Sequence, residues 1–352
     1  MGDLHVCIMA GGRGTRFWPA STESLPKQFL DILGTGKSLL QGTYERFTPL
    51  TEPARLWVLT NERYAGIVRE QLPKVDEKNV LLEPAMRNTA PALAYAAFKL
   101  HHRDPDAVMV ATPSDQVILR EEVFRQYIKR AARFAAEQDA LLTLGIRPTR
   151  PATGYGYIER GDTVEDAIYK VRRFVEKPDA ETARVFIEAG NFLWNAGMFV
   201  WRVSTFLEAL KRHAPEIYHT LEEGPYDTDG ERDWIEQVYP KLPNISIDYA
   251  LMEKADNVYT LPLDVGWSDL GSWNALYDFM KTEDGENICR AGRCHLEACE
   301  GNIIYGPELK GIALKGLKDY AVVYSRGYLL IYPRRDEQQI KDVQALFREG
   351  DL

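Results

Sequence analysis

Short apolar runs alternate with segments of helical spacing through the N-terminal half of the chain. The apolar runs predict buried strands at residues 6–10, 55–60, 79–84, 107–111 and 140–145. Helical spacing predicts helices at residues 37–47, 64–72, 89–101 and 124–138. Alternating strands and helices of this kind predict an α/β fold, Rossmann-like, with a mostly parallel mixed sheet flanked by helices.

The pattern changes beyond residue 154. Strands are predicted at residues 154–159, 167–176 and 258–263, and helices at residues 181–189 and 246–252. Short β-rich pieces follow at residues 294–298, 302–305, 312–314, 321–324 and 328–332, before a final helix at residues 337–348. We therefore predict two domains, a catalytic domain of residues 1–284 and a small β-rich domain of residues 285–352.

Composition and charge exclude several classes of function. The chain has 352 residues, 45% of them hydrophobic, and a formal net charge of −9, which disfavours binding to nucleic acid. No apolar run approaches the roughly 20 residues that span a bilayer, so no membrane association is predicted. The first strand begins close to the N-terminus, which predicts no signal peptide. The four cysteines are predicted to be reduced thiols in a cytoplasmic protein.

A glycine-rich segment after the first predicted strand carries the main chemical signal. It contains three glycines and three cations, namely Gly11, Gly12, Arg13, Gly14, Arg16 and, directly after a proline, Lys27. Glycines let backbone N–H groups approach an anion closely, and the cations suit phosphate oxygens. The segment is not a dinucleotide fingerprint, because Phe17 stands where that motif requires glycine. The later stretch at residues 34–38 is not a Walker loop, because Asp31 stands at the position of its first glycine. We predict a phosphate-binding loop.

Three carboxylates follow predicted strands. Ligands of parallel sheets collect beyond the carboxyl ends of the strands, where Glu83 and Asp115 are expected. Asp115 and Asp269 could together hold Mg²⁺, although each alone is also typical of an Asx-turn or a helix cap. The carboxylate of Glu83 could accept the adjacent N1–H and 2-amino donors of guanine, or it could be a surface charge.

Two later stretches have the composition of a sugar site. Residues 154–159 and 191–199 combine polar groups such as Asn195 with aromatic rings, a mixture that also occurs in protein cores. Lys177 lies between a glutamate and a proline, where it could meet a second anion or remain solvated. The histidines show no spacing typical of a nucleophile–base pair, and no G-x-S-x-G is present, so covalent catalysis is not predicted.

Together these stretches make the chain resemble the sugar-1-phosphate nucleotidyltransferases. The matching motifs occur in the family's order at residues 10–16, 26–29, 82–91, 112–115, 154–158, 174–178, 194–199, 246–250 and 267–273. The stretches at residues 87–91 and 194–199 resemble the branch that uses GTP and mannose 1-phosphate. The resemblance implies the nucleotidyltransferase, GT-A-like fold and a C-terminal segment with left-handed β-helix-like coils that serves homodimer contacts.

The resemblance also implies a role for each matching residue. The triphosphate would be held by Gly11, Gly12, Arg13, Gly14, Arg16 and Lys27. Guanine would be read by Glu83 with Asn88 and Thr89, and Mg²⁺ would be bound by Asp115 and Asp269. The mannose hydroxyls would be held by Gly156, Glu176 and Asn195, and the sugar phosphate by Lys177. Asp248 would support either the sugar or the metal carboxylates. The residues assigned to catalysis are Arg16, Lys27, Asp115, Lys177 and Asp269.

The implied reaction transfers GMP from GTP to mannose 1-phosphate. An oxygen of the sugar phosphate attacks the α-phosphorus in line and expels pyrophosphate, which needs charge neutralisation and alignment but no general base. Two alternatives remain open at the level of sequence. One is the same chemistry on a different sugar 1-phosphate, and the other is a regulatory subunit that binds GDP-mannose without catalysis.

Overall fold

In the computed structural model, which describes residues 3–12 and 14–347, most of the predicted apolar strands join one mixed sheet. The strands are β1 Leu4–Met9, β2 Leu56–Asn61, β3 Val80–Glu83, β4 Val108–Pro113, β5 Val117–Ile118, β6 Leu141–Ile146, β7 Tyr157–Glu165, β8 Ile168–Val175, β9 Phe192–Arg202, β10 Val258–Leu263, β11 Trp267–Ser268, β12 Ile288–Glu297, β13 Ile303–Lys315, β14 Tyr320–Ser325 and β15 Tyr328–Pro333. The main sheet has the order β3-β2-β1-β4-β9-β6-β10-β8-β7.

The helices connect these strands largely as the sequence predicts. They are α1 Leu39–Phe47, α2 Ala65–Gln71, α3 Thr89–Arg103, α4 Glu121–Glu137, α5 Ala180–Ala189, α6 Val203–His213, α7 Pro215–Leu221, α8 Glu231–Val238, α9 Trp273–Met280 and α10 Ile340–Leu346. Short 3₁₀ segments occur at Thr15–Phe17, Lys27–Phe29, Pro53–Arg55, Glu62–Tyr64, Glu77–Asn79, Tyr239–Lys241 and Arg334–Gln339. Among the described residues, no helix is long and apolar enough to cross a membrane.

The chain divides into two compact units. The first, here called the sheet unit, comprises the described residues of Met1–Gly11 together with Thr43–Ser114 and Ile118–Trp267. The second, here called the coil unit, comprises the described residues of Gly12–Gly42, Asp115–Val117 and Ser268–Leu352. The division into domains at residue 284 remains a prediction.

Strand direction in the sheet unit confirms the predicted fold class. Strands β1 to β4 pair in parallel, as do β6 and β10, whereas β9 runs antiparallel to both β4 and β6. Helix α3 packs in a buried cluster with Trp57 and Trp201, and its alanines allow close approach to the sheet. Because β1 and β3 point the same way, the residues that follow them meet at one edge of the sheet.

The coil unit contains the β-rich stack. Strand β12 pairs in parallel with β13, which pairs in parallel with β14, and β15 closes the stack antiparallel to β14. Ile288 pairs with Ile303, and Ile303 pairs with Ala321, so each turn of the chain lies on the preceding one. The buried side chain of Asn302 links three turns, since it donates to Asn287 Oδ1 at 2.8 Å and to the Leu317 carbonyl at 2.7 Å. The predicted β-helix-like segment is confirmed.

The helix predicted at residues 246–252 is present as a short π-helix, Asp248–Met252, in which the N–H of Glu253 donates to the Asp248 carbonyl. One local expectation was wrong. The thiols were predicted to be reduced, but Cys289 and Cys294 pair as a disulfide, with Cα atoms 6.7 Å apart. An irregularity of β12 between Ala291 and Arg293 folds the strand and brings these cysteines together. Cys7 and Cys299 are free.

Candidate active site

Lys27 is the centre of a charged cluster in the coil unit. Its side chain is only 5% exposed and begins the 3₁₀ segment after Pro26. The Nζ atom lies 2.8 Å from Asp115 Oδ2, 2.8 Å from the Asp269 carbonyl and 3.0 Å from the Leu270 carbonyl. These acceptors match the three N–H donors of a lysine ammonium. Lys27 therefore joins the segments that carry the two predicted metal carboxylates.

The glycine loop makes room for this lysine. Gly14 has φ of +58°, a conformation that other residues rarely adopt, and a Cβ there would lie 2.6 Å from the Lys27 backbone nitrogen. The side chain of Gln28 donates to the Gly12 carbonyl at 2.8 Å and fixes the same loop. Gly14 thus shapes the loop around Lys27. Arg13 was predicted to bind phosphate but lies outside the described residues.

A tight turn orients the side chain of Asp269. Its Oδ1 accepts from the Gly271 N–H at 3.2 Å, so the predicted Asx-turn is present. A Cβ on Gly271 would lie 2.6 Å from Asp269 Oδ2 and 3.5 Å from a guanidinium nitrogen of Arg16. The coil unit therefore brings together Arg16, Lys27, Asp115 and Asp269, four residues predicted to be catalytic.

The donor chemistry of this cluster fits Mg²⁺. Magnesium takes one or two protein carboxylates and completes its shell with water and substrate phosphates. Asp115 and Asp269 supply two carboxylates within the coil unit, and the Asp115 side chain remains about one-third exposed, at 35%. Among the described residues, no group of three or more histidine, cysteine, aspartate or glutamate side chains could hold a metal ion. An ion bound here would need substrate oxygens as additional ligands.

Glu83 ends strand β3 in the sheet unit and is 7% exposed. Its Oε2 accepts a hydrogen bond from the Tyr239 hydroxyl at 2.6 Å, and its carbonyl accepts from the Asn61 amide at 2.9 Å. Its Oε1 would lie 3.3 Å from a Cβ placed on Gly11, so the predicted meeting of these strand ends is observed. Burial raises the pKa of Glu83 to about 7, and the hydrogen bond from Tyr239 opposes that rise.

Asn88 and Thr89 form the start of helix α3. Asn88 adopts φ of 65°, and its side chain accepts from the Thr89 N–H. The Thr89 hydroxyl accepts from the Ile247 N–H at 2.8 Å, while the Arg87 guanidinium donates to the Pro240 carbonyl. These bonds hold the segment after Glu83 against residues 240–247. The predicted contacts of Asn88 and Thr89 with a nucleotide remain predictions.

Asn195 and Asp248 form a second polar cluster in the sheet unit. The Asn195 Nδ2 donates to Asp248 Oδ1 at 2.8 Å. Its Oδ1 accepts from the Thr143 hydroxyl at 3.1 Å and from the Gly197 N–H at 3.0 Å. Burial, together with the nearby Glu176 carboxylate, raises the pKa of Asp248 to about 6. Asn195 is therefore oriented by three partners, of which sequence reasoning missed Thr143.

Glu176 and Lys177 adjoin this cluster. A Cβ on Gly156 would lie 2.4 Å from Glu176 Oε2, so the glutamate needs a glycine at this position. Lys177 has φ of 45°, and its Nζ lies 2.7 Å from Glu176 Oε1. The Lys177 side chain is 60% exposed, which leaves its ammonium accessible to a soluble anion. Gly156, Glu176 and Asn195 thus belong to one group, as the sequence resemblance implied, and the structure adds Asp248 to it.

An aromatic group stands beside Gly156. The ring of Tyr155 meets that of Trp194 edge to face at 4.9 Å, and the guanidinium of Arg150 lies within 6 Å of both rings. Tyr157, by contrast, is completely buried. The alternative of core packing is therefore correct for Tyr157, whereas Tyr155 is only half-buried. Arg150 escaped the sequence analysis because no neighbouring motif marks it.

Comparisons with known proteins identify the family of this chain. The nucleotidyl transferase family matches residues 5–285. Mannose-1-phosphate guanylyltransferase of Salmonella typhimurium is 38% identical over 353 residues, covering 98% of this chain and 72% of the relative. The enzyme of the same name from Escherichia coli is 37% identical over 351 residues, covering 97% and 72%. The crystal structure of mannose-1-phosphate geranyltransferase from Thermus thermophilus superimposes with a TM-score of 0.88 at 31% identity, covering 98% of this chain and 99% of that one.

Proposed function

Since this chain belongs to the nucleotidyl transferase family, and within it to the relatives named mannose-1-phosphate guanylyltransferase, we propose that it transfers GMP from GTP to α-D-mannose 1-phosphate. The products are GDP-mannose and pyrophosphate. The observation that carries the reaction type is the grouping of Asp115 and Asp269 around the buried Lys27. Phosphoryl chemistry proceeds through positioning and charge neutralisation, which such a group supplies.

The electrostatic problem of the reaction sets the demands on the protein. The attacking phosphate and the triphosphate are both anions, and two unit charges about 4 Å apart interact by about 4 kcal/mol at an effective dielectric of about 20. Arg16 would offset this repulsion on the triphosphate, and Lys177 on the sugar phosphate. The attacking oxygen is already ionised, so the mechanism assigns no general base.

Asp115 and Asp269 would hold Mg²⁺. The ion supplies a positive charge for the phosphate oxygens. Lys27 would keep the two carboxylate segments together and limit the repulsion between them, with its predicted phosphate contact as an additional role. Gly12 and Gly14 would present backbone N–H groups to the triphosphate, and Gly11 would do the same beside Glu83.

The sheet unit would select the substrates. The Glu83 carboxylate would accept the N1–H and 2-amino group of guanine, with Asn88 and Thr89 shaping the adjacent segment. Glu176 and Asn195 would bind mannose hydroxyls, and Gly156 leaves space for that contact. We assign Asp248 to the sugar side, because its hydrogen bond orients the Asn195 amide.

We also propose a homodimer that uses the β-rich segment, a catalytic domain of residues 1–284 with a smaller domain of residues 285–352, and a cytoplasmic location. The resemblance to the family supports the first two. The cytoplasmic location is supported by two free cysteines, Cys7 and Cys299. In the cytoplasm, reductants would act on the Cys289–Cys294 pair.

The function is tested by pyrophosphate release with Mg²⁺ across four nucleoside triphosphates and several sugar 1-phosphates. We expect GTP with mannose 1-phosphate to give the highest kcat/KM. A higher value with another sugar would change the proposed substrate. If the folded protein binds GDP-mannose but releases no pyrophosphate with any pair, it is a regulatory subunit and the proposal is wrong.

A further inference from the structure

We propose that Tyr239 is a positioning residue for guanine selection, because its hydroxyl fixes the orientation of the Glu83 carboxylate that reads the base. This inference rests on the proposed function, in which Glu83 accepts hydrogen bonds from guanine. Sequence analysis did not single out Tyr239, which lies 156 positions from Glu83.

The geometry leaves Tyr239 little freedom to do anything else. Its side chain is 0% exposed, and its hydroxyl lies 2.6 Å from Glu83 Oε2. Its ring packs edge to face on Tyr95 of helix α3 at 6.4 Å. The next residue, Pro240, accepts a hydrogen bond from Arg87, four residues after Glu83. The backbone around Tyr239 and the backbone around Glu83 are therefore tied together on two sides.

The direction of the hydrogen bond follows from the chemistry of the pair. Burial and the adjacent Glu83 raise the pKa of Tyr239 well above its ordinary value, so the phenol keeps its proton and donates it. A short bond to an ionised acceptor is among the stronger hydrogen bonds in proteins. It fixes the plane of the carboxylate, with Oε2 towards Tyr239 and Oε1 towards Gly11.

A fixed carboxylate plane discriminates between bases. Guanine presents two donors, N1–H and the 2-amino group, whereas adenine presents an N1 acceptor that a carboxylate repels. A carboxylate that can rotate, or that takes up a proton, loses part of this discrimination. Tyr239 opposes both changes, since its donated hydrogen bond stabilises the ionised form.

The test compares Tyr239→Phe with Tyr226→Phe in the full-length protein. Tyr226 is also buried, but its hydroxyl donates to the Leu221 carbonyl and does not contact Glu83. We expect Tyr239→Phe to raise the Kd for GTP about tenfold, which corresponds to about 1.4 kcal/mol. The ratio of the Kd for ATP to the Kd for GTP should therefore fall. Tyr226→Phe should leave that ratio unchanged. The KM for GTP should rise while kcat stays within about twofold of the wild type.

A pH profile separates positioning from packing. The groups whose charges act on the pair are Tyr95 of helix α3 and Arg87 of the preceding loop, and neither is altered in the variant. With the pKa of Glu83 at about 7, kcat/KM for GTP should fall as pH decreases through neutrality. In Tyr239→Phe this fall should begin at higher pH, because the hydrogen bond that lowers the pKa is gone. Ionisation of GTP itself affects both proteins equally.

A double-mutant cycle with Glu83→Gln gives a second measurement. Tyr239→Phe should add no further loss of selectivity to Glu83→Gln. If Tyr239→Phe leaves the ratio of the Kd values for ATP and GTP unchanged and lowers only thermal stability, the inference is wrong. The proposed function still stands in that case, provided that the wild-type protein prefers guanine. A wild-type protein without guanine preference overturns both. If Tyr239→Phe does not fold, unchanged base preference in Glu83→Gln overturns the inference.

Discussion

Glu83 and Asp248 in the sheet unit and Asp115 in the coil unit differ in the charge of their hydrogen-bonding partners. In the sheet unit, Glu83 is buried and Asp248 is half-buried. Both accept hydrogen bonds from neutral side chains and have raised pKa values, of about 7 and about 6. In the coil unit, Asp115 is partly exposed and paired with the ammonium of Lys27. A neutral partner fixes the direction of an acceptor, whereas a cation offsets its charge. The first arrangement suits recognition of hydroxyl and base donors, and the second suits phosphate chemistry.

This contrast predicts different kinetic consequences. Changes in the coil unit should reduce kcat, because they remove charges that act on the reacting phosphates. Changes at Glu83 and Asp248 in the sheet unit, whose partners are neutral, should raise KM or alter selectivity. The distinction would be wrong if a coil-unit variant changed only KM, or if a variant at Glu83 or Asp248 changed only kcat.

The largest effect is expected for Asp269→Asn. The amide keeps the size of the side chain but removes a negative charge from the proposed metal site, so kcat should fall about a thousandfold. Steady-state pyrophosphate release measures this change. Asp264→Asn is a matched control, because Asp264 is an exposed carboxylate paired with Arg120. If Asp269→Asn retains more than one-tenth of the wild-type kcat, Asp269 does not bind an essential metal.

An intermediate effect is expected for Gly156→Ala. The new Cβ would lie 2.4 Å from Glu176 Oε2 and must displace that carboxylate. We expect the KM for mannose 1-phosphate to rise about tenfold, equivalent to about 1.4 kcal/mol, with a smaller change in kcat. Gly154→Ala is the control, since a Cβ there meets nothing within 4 Å. Equal KM values for the two variants would exclude Glu176 from the sugar site.

The smallest effect concerns stability and pH. Burial raises the pKa of Asp248 from 3.8 to about 6, so the folded protein binds the proton more tightly than the unfolded chain. The destabilisation is absent below about pH 4 and complete above about pH 6. Asp248→Asn removes the ionising group while keeping an oxygen for Asn195. Relative to wild type, the variant should therefore be more stable by about 1 kcal/mol more at pH 8 than at pH 5.

Urea denaturation at the two pH values measures this difference. Asp264→Asn removes an exposed carboxylate paired with Arg120 and should show little pH dependence relative to wild type over the same range. A difference for Asp248→Asn that is independent of pH would mean that Asp248 does not ionise within this range in the folded protein.

Sequence patterns predicted the elements that are set by neighbouring residues along the chain. Strand β10 occupies residues 258–263 as expected, because its apolar run is bounded by polar residues on both sides. The proximity of Gly11 and Glu83 followed from two parallel strands ending at one edge of the sheet. The sequence resemblance, in turn, placed Gly156, Glu176 and Asn195 in one group without any structural information, and left Asp248 open between the sugar and the metal carboxylates.

Interactions between distant segments were not predictable in this way. Tyr239 looks like an ordinary core residue, and only the folded chain brings it to Glu83. The same holds for the contacts of the Lys27 ammonium with Asp115 and two backbone carbonyls. The predicted contact of Lys27 with phosphate remains a prediction. The Cys289–Cys294 pair depends on a fold in strand β12, which a period-two pattern does not reveal.

The linkage through Asn302 has a consequence for how the C-terminal stack can vary in length. Asn302 bonds to the turn before it through Asn287 and to the turn after it through Leu317 and Tyr320. A single inserted residue would shift every such bond out of register, whereas a complete additional turn could repeat the same set of bonds. The stack can therefore be lengthened or shortened only in whole turns, as a modular building unit.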